Sequence, residues 1–211
     1  DGRRSRQVGC PLSSPLEAII RRRRMTRRFD AAPLPVDEVD DLLEVARRAP
    51  SAGFSQGVHL MVLTGETLAR FWRTSEGDQW YPDPSFGPLS APVLVVPLAD
   101  PTAYTARYSE PDKIEHGLDQ ASRWVVPFWI TDAAMVVENL LLLAEERGIG
   151  ALYFGFGGAV EAALAELGVP PHVVQVGGVA LGRRAADDVP SGSARTRGRR
   201  TFDEVVHRNG W

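Results

Sequence analysis

Arg21-Arg22-Arg23-Arg24-Met25-Thr26-Arg27-Arg28-Phe29 is the stretch from which the rest of the chain is read. It follows the signature of a helix start. Ser14 is a cap, Pro15 suits the first helical position and Glu17 closes a capping box. Leu16, Ile19 and Ile20 fall on one stripe at helical spacing. Continuing that stripe turns Arg23 and Arg27 toward the core and leaves Arg21, Arg22 and Arg28 to water. An inward guanidinium needs an anion. Glu17 and Asp30 are the only carboxylates at local partner positions. A ligand phosphate would also serve, because its oxygens match the arginine fork. A solvated basic face and a nucleic-acid contact are the other readings.

The whole chain bounds those readings. Its 211 residues suit one domain with arms, and its net charge is −3, so the basic cluster is local. That argues against nucleic acid as a partner. Cys10 is the sole cysteine, which excludes a disulfide framework. The four histidines have no metal-ligand spacing, so no metal is expected. Residues 1–13 read as a flexible arm without an apolar signal core. Ala133–Ala144 is too short to span a membrane, and a cytoplasmic location is the default expectation.

Further along, Val39, Leu42, Leu43 and Ala46 mark a second amphipathic helix with acids at its start. Pro50-Ser51-Ala52-Gly53-Phe54-Ser55-Gln56-Gly57 is a loop of small residues leading to a strand at Val58–Thr64. It is either a ligand loop or an ordinary connection. A helix is expected over Glu66–Ser75, a loop over Gly77–Ala91 and a buried strand at Val93–Leu98. Trp124, Phe128 and Trp129 lie in an aromatic segment broken by Pro127. They line a pocket or cover the core. Thr131–Arg147 reads as the longest helix, capped by Thr131 and apolar nearly all round, so buried centrally or at a subunit interface. Glu138 and Asn139 inside it need partners.

Ala151–Phe154 reads as a strand whose end carries Gly155-Phe156-Gly157-Gly158 into a helix at Ala159–Leu167. Such a turn presents backbone N–H groups. It lacks the third glycine and the acid of a dinucleotide fingerprint. Val173–Leu181 is a strand with Gly177-Gly178 inside, either a bulge or a close backbone contact. A polar tail ends in Arg195-Thr196-Arg197-Gly198-Arg199-Arg200, and Thr201–His207 turns helical. Two basic clusters share a place in a fold only with an anion between them.

Together these stretches resemble the FMN-dependent nitroreductase family. Its pattern is an R-R-S-x-R-x-F helix end, a P-S-x-x-N-x-Q loop, a late glycine turn and a C-terminal K-x-R-R-P-L-E-E-V-V segment. Here they stand as Arg23–Phe29, Pro50–Gln56, Gly155–Gly158 and Arg197–Val206, in order and covering nearly all of the chain from residue 14. The resemblance implies an α+β domain over residues 14–211, with a mixed sheet flanked by helices. A C-terminal arm from about residue 183 would wrap the partner of a homodimer.

The resemblance also implies a cofactor site. Arg23 and Arg27 would hold the FMN phosphate, with Arg24 and Met25 beside them in the cofactor site, and Arg197 and Arg199 would close on it from the other end of the chain. Pro50, Ser51, Ala52, Phe54 and Gln56 would lie along the ribityl chain and ring. Tyr153, Phe154, Gly155, Phe156 and Gly157 would offer a backbone N–H to flavin N5. Trp124, Phe128 and Trp129 would shape the substrate pocket. Met25 replaces the family serine, Phe54 the asparagine that pairs with the ring's pyrimidine edge, and Gly57-Val58 the usual Pro-Trp. The implied activity passes two electrons from NAD(P)H through the flavin to a small electrophilic or aromatic acceptor. The alternatives are a non-catalytic flavin or deazaflavin binder and a family member with specialised biosynthetic flavin chemistry. No catalytic acid or base is expected, since no paired carboxylates or nucleophile–base spacing stands out.

Overall fold

The structure, a computed structural model, describes residues 14–190 and 192–211. The expected arm at 1–13 lies outside them. Helix α1 (Pro15–Arg22) starts as its sequence predicts: the Glu17 N–H donates to the Ser14 hydroxyl at 3.1 Å. It buries only Ile19, and Leu16 and Ile20 stay exposed. Helix α2 (Val36–Ala46) buries Val39, Leu42 and Ala46. Strand β1 (Val58–Thr64) is followed by α3 (Gly65–Thr74), the short α4 (Gly77–Trp80) and β2 (Val93–Ala99). Helix α5 (Pro101–Tyr108) was not foreseen. Its cap is Asp100, which accepts the Thr102 N–H at 2.8 Å.

Helix α6 (Phe128–Glu146) starts three residues before the expected cap, so Phe128 and Trp129 are its first residues. Thr131 does not cap it; its hydroxyl donates to the Phe128 carbonyl. Strand β3 (Gly150–Phe154), helix α7 (Val160–Glu166), strands β4 (Val174–Gln175) and β5 (Gly178–Gly182) and helix α8 (Gly192–Arg197) complete the chain. Thr201–His207 forms a turn rather than the expected helix.

The sheet runs β1-β2-β5-β3, with β4 also on β2. Every described pairing is antiparallel, which corrects the expected mixed sheet while leaving the α+β class. Strand β2 is buried along its whole length because both faces are covered. Val93 and Val95 join a core with α2 and α6, while Leu94, Val96 and Leu98 join a core with α3 and α7. This is why its sequence is continuously apolar instead of alternating. Of the two readings of Gly177-Gly178, the bulge is present. Leu98 pairs with Gln175 and Val95 with Val179, so one extra residue lies between them, and Gly177 has a φ of 81°. Pro97 faces this irregularity.

Candidate functional site

Helix α1 ends at Arg22, so Arg23 and Arg27 do not continue its stripe. Arg23 is already extended (φ −52°, ψ 131°), and the chain then runs beside β3. The Thr26 N–H donates to the Ala151 carbonyl at 2.8 Å, and Phe29 bridges Arg184. Long-range pairing replaces the helix, because an extended segment satisfies its backbone against a sheet edge. Most of the arginines then find carboxylates. Arg21 pairs with Glu17 at 2.7 Å, Arg22 with Glu145 at 3.2 Å and Arg28 with Asp187 at 3.7 Å. Arg24 pairs with Asp188, whose side chain is 1 % exposed.

Asp188 also accepts the backbone N–H groups of Arg27 at 2.8 Å and Arg28 at 3.0 Å. Burial opposes its ionisation. The Arg27 N–H, the Arg24 guanidinium and the Arg28 N–H outweigh burial and hold the carboxyl below its ordinary range.

Two arginines are left with little charge compensation, and they are the two expected to hold phosphate. Arg23 has Glu138 only at 3.9 Å. Arg27 has no described carboxylate, and its guanidinium reaches only the Met25 carbonyl at 3.4 Å. Arg24, by contrast, is committed to Asp188. Met25 links this stretch to the glycine turn, since the Tyr153 N–H points at its sulfur at 3.4 Å. Met25, Ala49, Val58, Leu60 and Tyr153 are partly buried residues packed on the same core.

The Pro50–Gly57 loop is held from behind by α5 and α6. Asp132 of α6, 2 % exposed, accepts the Ala52 N–H at 2.9 Å and the Tyr104 hydroxyl at 2.8 Å. Burial, then the hydrogen bond to Asp132, pushes the Tyr104 phenol well above its usual range. Arg107 donates to the Gly53 carbonyl at 2.9 Å while held by Glu110 and Asp112. The hydrogen bond from Arg107 draws the Asp112 carboxyl down to about 2. Ser51 accepts the Gln56 N–H at 3.1 Å, and Pro50, Ser51 and Gln56 line a small cavity of about 110 Å³. Gly53, Phe54 and Gln56 have φ of 61°, 57° and 54°. Glycine takes this region freely and asparagine tolerates it, whereas for a bulky aromatic it is strained. The Phe54 ring is 74 % exposed.

The turn after β3 is braced by aromatic packing. Phe154 and Phe156 sit edge-on 5.1 Å apart and pack with Trp72 and Phe71. A side chain at Gly157 would meet Trp80 at 2.2 Å, so only glycine lets that indole lie on the backbone. Around Gly155 the space is open. Tyr153 donates its hydroxyl to the Val176 carbonyl at 2.7 Å.

The aromatic segment divides between its two expected roles. Trp129 is buried against Tyr104 and serves the core. Trp124 is buried too, its indole N–H donating to the Leu118 carbonyl at 2.8 Å, yet one of its sides lines a cleft of about 370 Å³ with Phe128, Ala52, Tyr108 and Val125. Sequence reasoning missed Asp132, Tyr104 and Arg107. The one signal for them was an acid inside an otherwise apolar helix.

Among the described residues, no hydrogen bond or ion pair joins Arg197 or Arg199 to the loop or strand residues around Arg23 and Arg27. Arg197 and Arg199 are exposed, and among the described residues no hydrogen bond or ion pair ties 192–211 to the rest of the chain. Glu138 is half-exposed beside Arg23, and Asn139 donates to the Ala46 carbonyl at 3.2 Å. The open side of α6 carries Ala134 and Met135. Among the described residues no cluster could hold a metal ion, and no helix is long and apolar enough to cross a membrane.

The structure is thus an α+β domain whose arginine stretch, mostly paired with carboxylates, runs beside the strand that leads into a glycine turn. The chain matches the family model described as Nitroreductase family over residues 20–183. It belongs to that family, and with it to the oxidoreductases. It is 26% identical over 201 residues to an NADPH-dependent oxidoreductase of Staphylococcus aureus (strain USA300), covering 94% of this chain and 74% of the relative. The fold is shared with a nitroreductase-like protein from Streptococcus mutans (TM-score 0.70, 18% identity, 90% of this chain and 96% of that one). It is shared also with a nitroreductase with bound FMN from Bacteroides fragilis (TM-score 0.65, 22% identity, 90% and 99%).

Proposed function

We propose that this chain is an FMN-dependent oxidoreductase that takes two electrons from NADH or NADPH and delivers them to a small electrophilic or aromatic acceptor. The observation that carries the reading is Arg27. It is half-buried, and alone in its run it has no described carboxylate, so it is suited to a phosphate. Arg23, loosely paired, stands with it. The other residues fit the same group. The open backbone at Gly155 leaves room for a planar ring.

FMN when bound supplies the redox chemistry. The chain's residues then bind and orient. Arg23 and Arg27 take the phosphate, Ser51 and Gln56 border the ribityl chain, and the turn at Tyr153–Gly157 offers N–H groups to the ring. The cleft between Ala52, Trp124 and Phe128 is apolar, which suits an aromatic acceptor. Arg197 and Arg199 are assigned to the phosphate of a second copy, because their segment has no described bond to its own body. The exposed Leu16, Ile20 and Met135 supply the apolar surface for that dimer.

Titration with FMN and riboflavin tests the reading. FMN is expected to bind at least tenfold more tightly, about the value of one charge-assisted contact. Equal affinities would remove the phosphate assignment. A second reading, a passive flavin or deazaflavin holder, is favoured by Phe54, which offers the ring edge no hydrogen bond. Anaerobic bleaching by NADH or NADPH separates the two.

A further inference from the structure

Two left-handed non-glycine residues within three positions, Phe54 and Gln56, follow a left-handed Gly53. Such strain persists only where surrounding groups over-determine the backbone. Those groups are visible. The buried Asp132 carboxylate binds the Ala52 N–H and is itself fixed by the Tyr104 hydroxyl. Tyr104 is wholly buried between Trp124 and Trp129. Two peptide groups further on, Arg107 binds the Gly53 carbonyl and is itself fixed by Asp112. The Tyr108 ring closes the space over Gly53: a Cβ there would meet it at 2.8 Å. No cation is described beside Asp132, so the Ala52 N–H, the Tyr104 hydroxyl and, at 3.5 Å, the Thr131 hydroxyl are what satisfy a carboxylate out of water.

We infer that Asp132, Tyr104 and Arg107 are positioning residues. They hold Ala52 and Gly53 from behind and present the Phe54–Gln56 backbone to the flavin ring and ribityl chain. This rests on the FMN reading above. The grip lies on the ring side of the site, so its loss acts equally on FMN and riboflavin, whereas loss of Arg27 acts on FMN alone.

The test uses the full chain with Asp132→Ala, Asp132→Asn and Arg107→Met. Asp132→Ala is expected to weaken FMN and riboflavin by the same factor, about tenfold or more, the size of a lost buried hydrogen bond. Asp132→Asn is expected to bind within about threefold of the parent. Its amide oxygen still accepts from Ala52 and Tyr104, and its NH₂ faces the Thr131 hydroxyl. Arg107→Met is expected to weaken both flavins by about threefold or more. Unchanged affinity in a folded Asp132→Ala or in Arg107→Met overturns the inference, as does a loss confined to FMN. Should Asp132→Ala fail to fold, Arg107→Met decides. If the parent binds neither flavin, the FMN reading fails instead. Amide exchange at Ala52 then still judges the grip: faster exchange in Arg107→Met supports it and unchanged exchange overturns it.

Discussion

Arg24 and Asp188 lie 164 residues apart and meet as a partly buried ion pair, with the Asp188 carboxylate also accepting the N–H groups of Arg27 and Arg28. One acid from the end of the domain thus sets the path of the arginine stretch. Its removal is expected to cost stability. Asp188→Asn should lose about 1–3 kcal/mol at neutral pH, measured by urea unfolding. The pH dependence follows from the depressed carboxyl of Asp188. Its contribution is complete above the unfolded value of 3.8 and is lost as pH falls through the lower folded value. The gap between parent and Asp188→Asn should therefore narrow below about pH 4. A gap independent of pH would contradict this.

Arg24 and Arg27 should separate in their effects. Arg24→Ala leaves Asp188 short of its countercharge in a buried place, and should destabilise the fold by about 3 kcal/mol. Arg27→Ala breaks no ion pair in the described structure, and should spare stability while lowering FMN affinity toward that of riboflavin. Thermal melts and flavin titrations on the two variants distinguish the roles.

Phe54→Asn should stabilise the flavin-free protein by about 1 kcal/mol, because asparagine accepts a φ of 57° with less strain. The new amide would also pair with the ring edge, raising the flavin potential and speeding reduction by NAD(P)H. Unchanged potential and rate would show that position 54 does not touch the ring.

A chain ending at Pro190 should keep most of its secondary structure by circular dichroism, since no described bond joins 192–211 to the body. It should lose its flavin and, by light scattering, the homodimer. Full flavin content in the shortened protein would show that Arg197 and Arg199 are not ligands.

Local signals in the sequence were legible where local physics decides. The Ser14 cap, the strand at Val58–Thr64 and the buried strand at Val93–Leu98 stand as read, and of the two readings of Gly177-Gly178 the bulge is present. The arginine stretch was legible as needing anions and illegible as a path, and most of the anions it meets are the chain's own carboxylates. Its partners Glu145, Asp187 and Asp188 come from elsewhere in the chain, and pairing with β3 overrides the helical stripe. Trp129 could not be assigned, because an aromatic at a helix start suits a core and a pocket alike. Asp132 was invisible as a loop holder, since its partners Ala52 and Tyr104 are brought together only by the fold.

Pro97 has an effect two strands away. By the register of β2 with β4 it stands opposite Val176, and the Val176 N–H donates to the Pro97 carbonyl at 2.9 Å. The reciprocal bond cannot form, because proline has no hydrogen to give. The Val176 carbonyl is left without a strand partner, and the Tyr153 hydroxyl takes its place at 2.7 Å. A ring closed on one backbone nitrogen thereby fixes where a phenol on β3 must point, and with it one wall beside the glycine turn. Any residue with a free N–H at 97 would compete for that carbonyl and set the tyrosine loose.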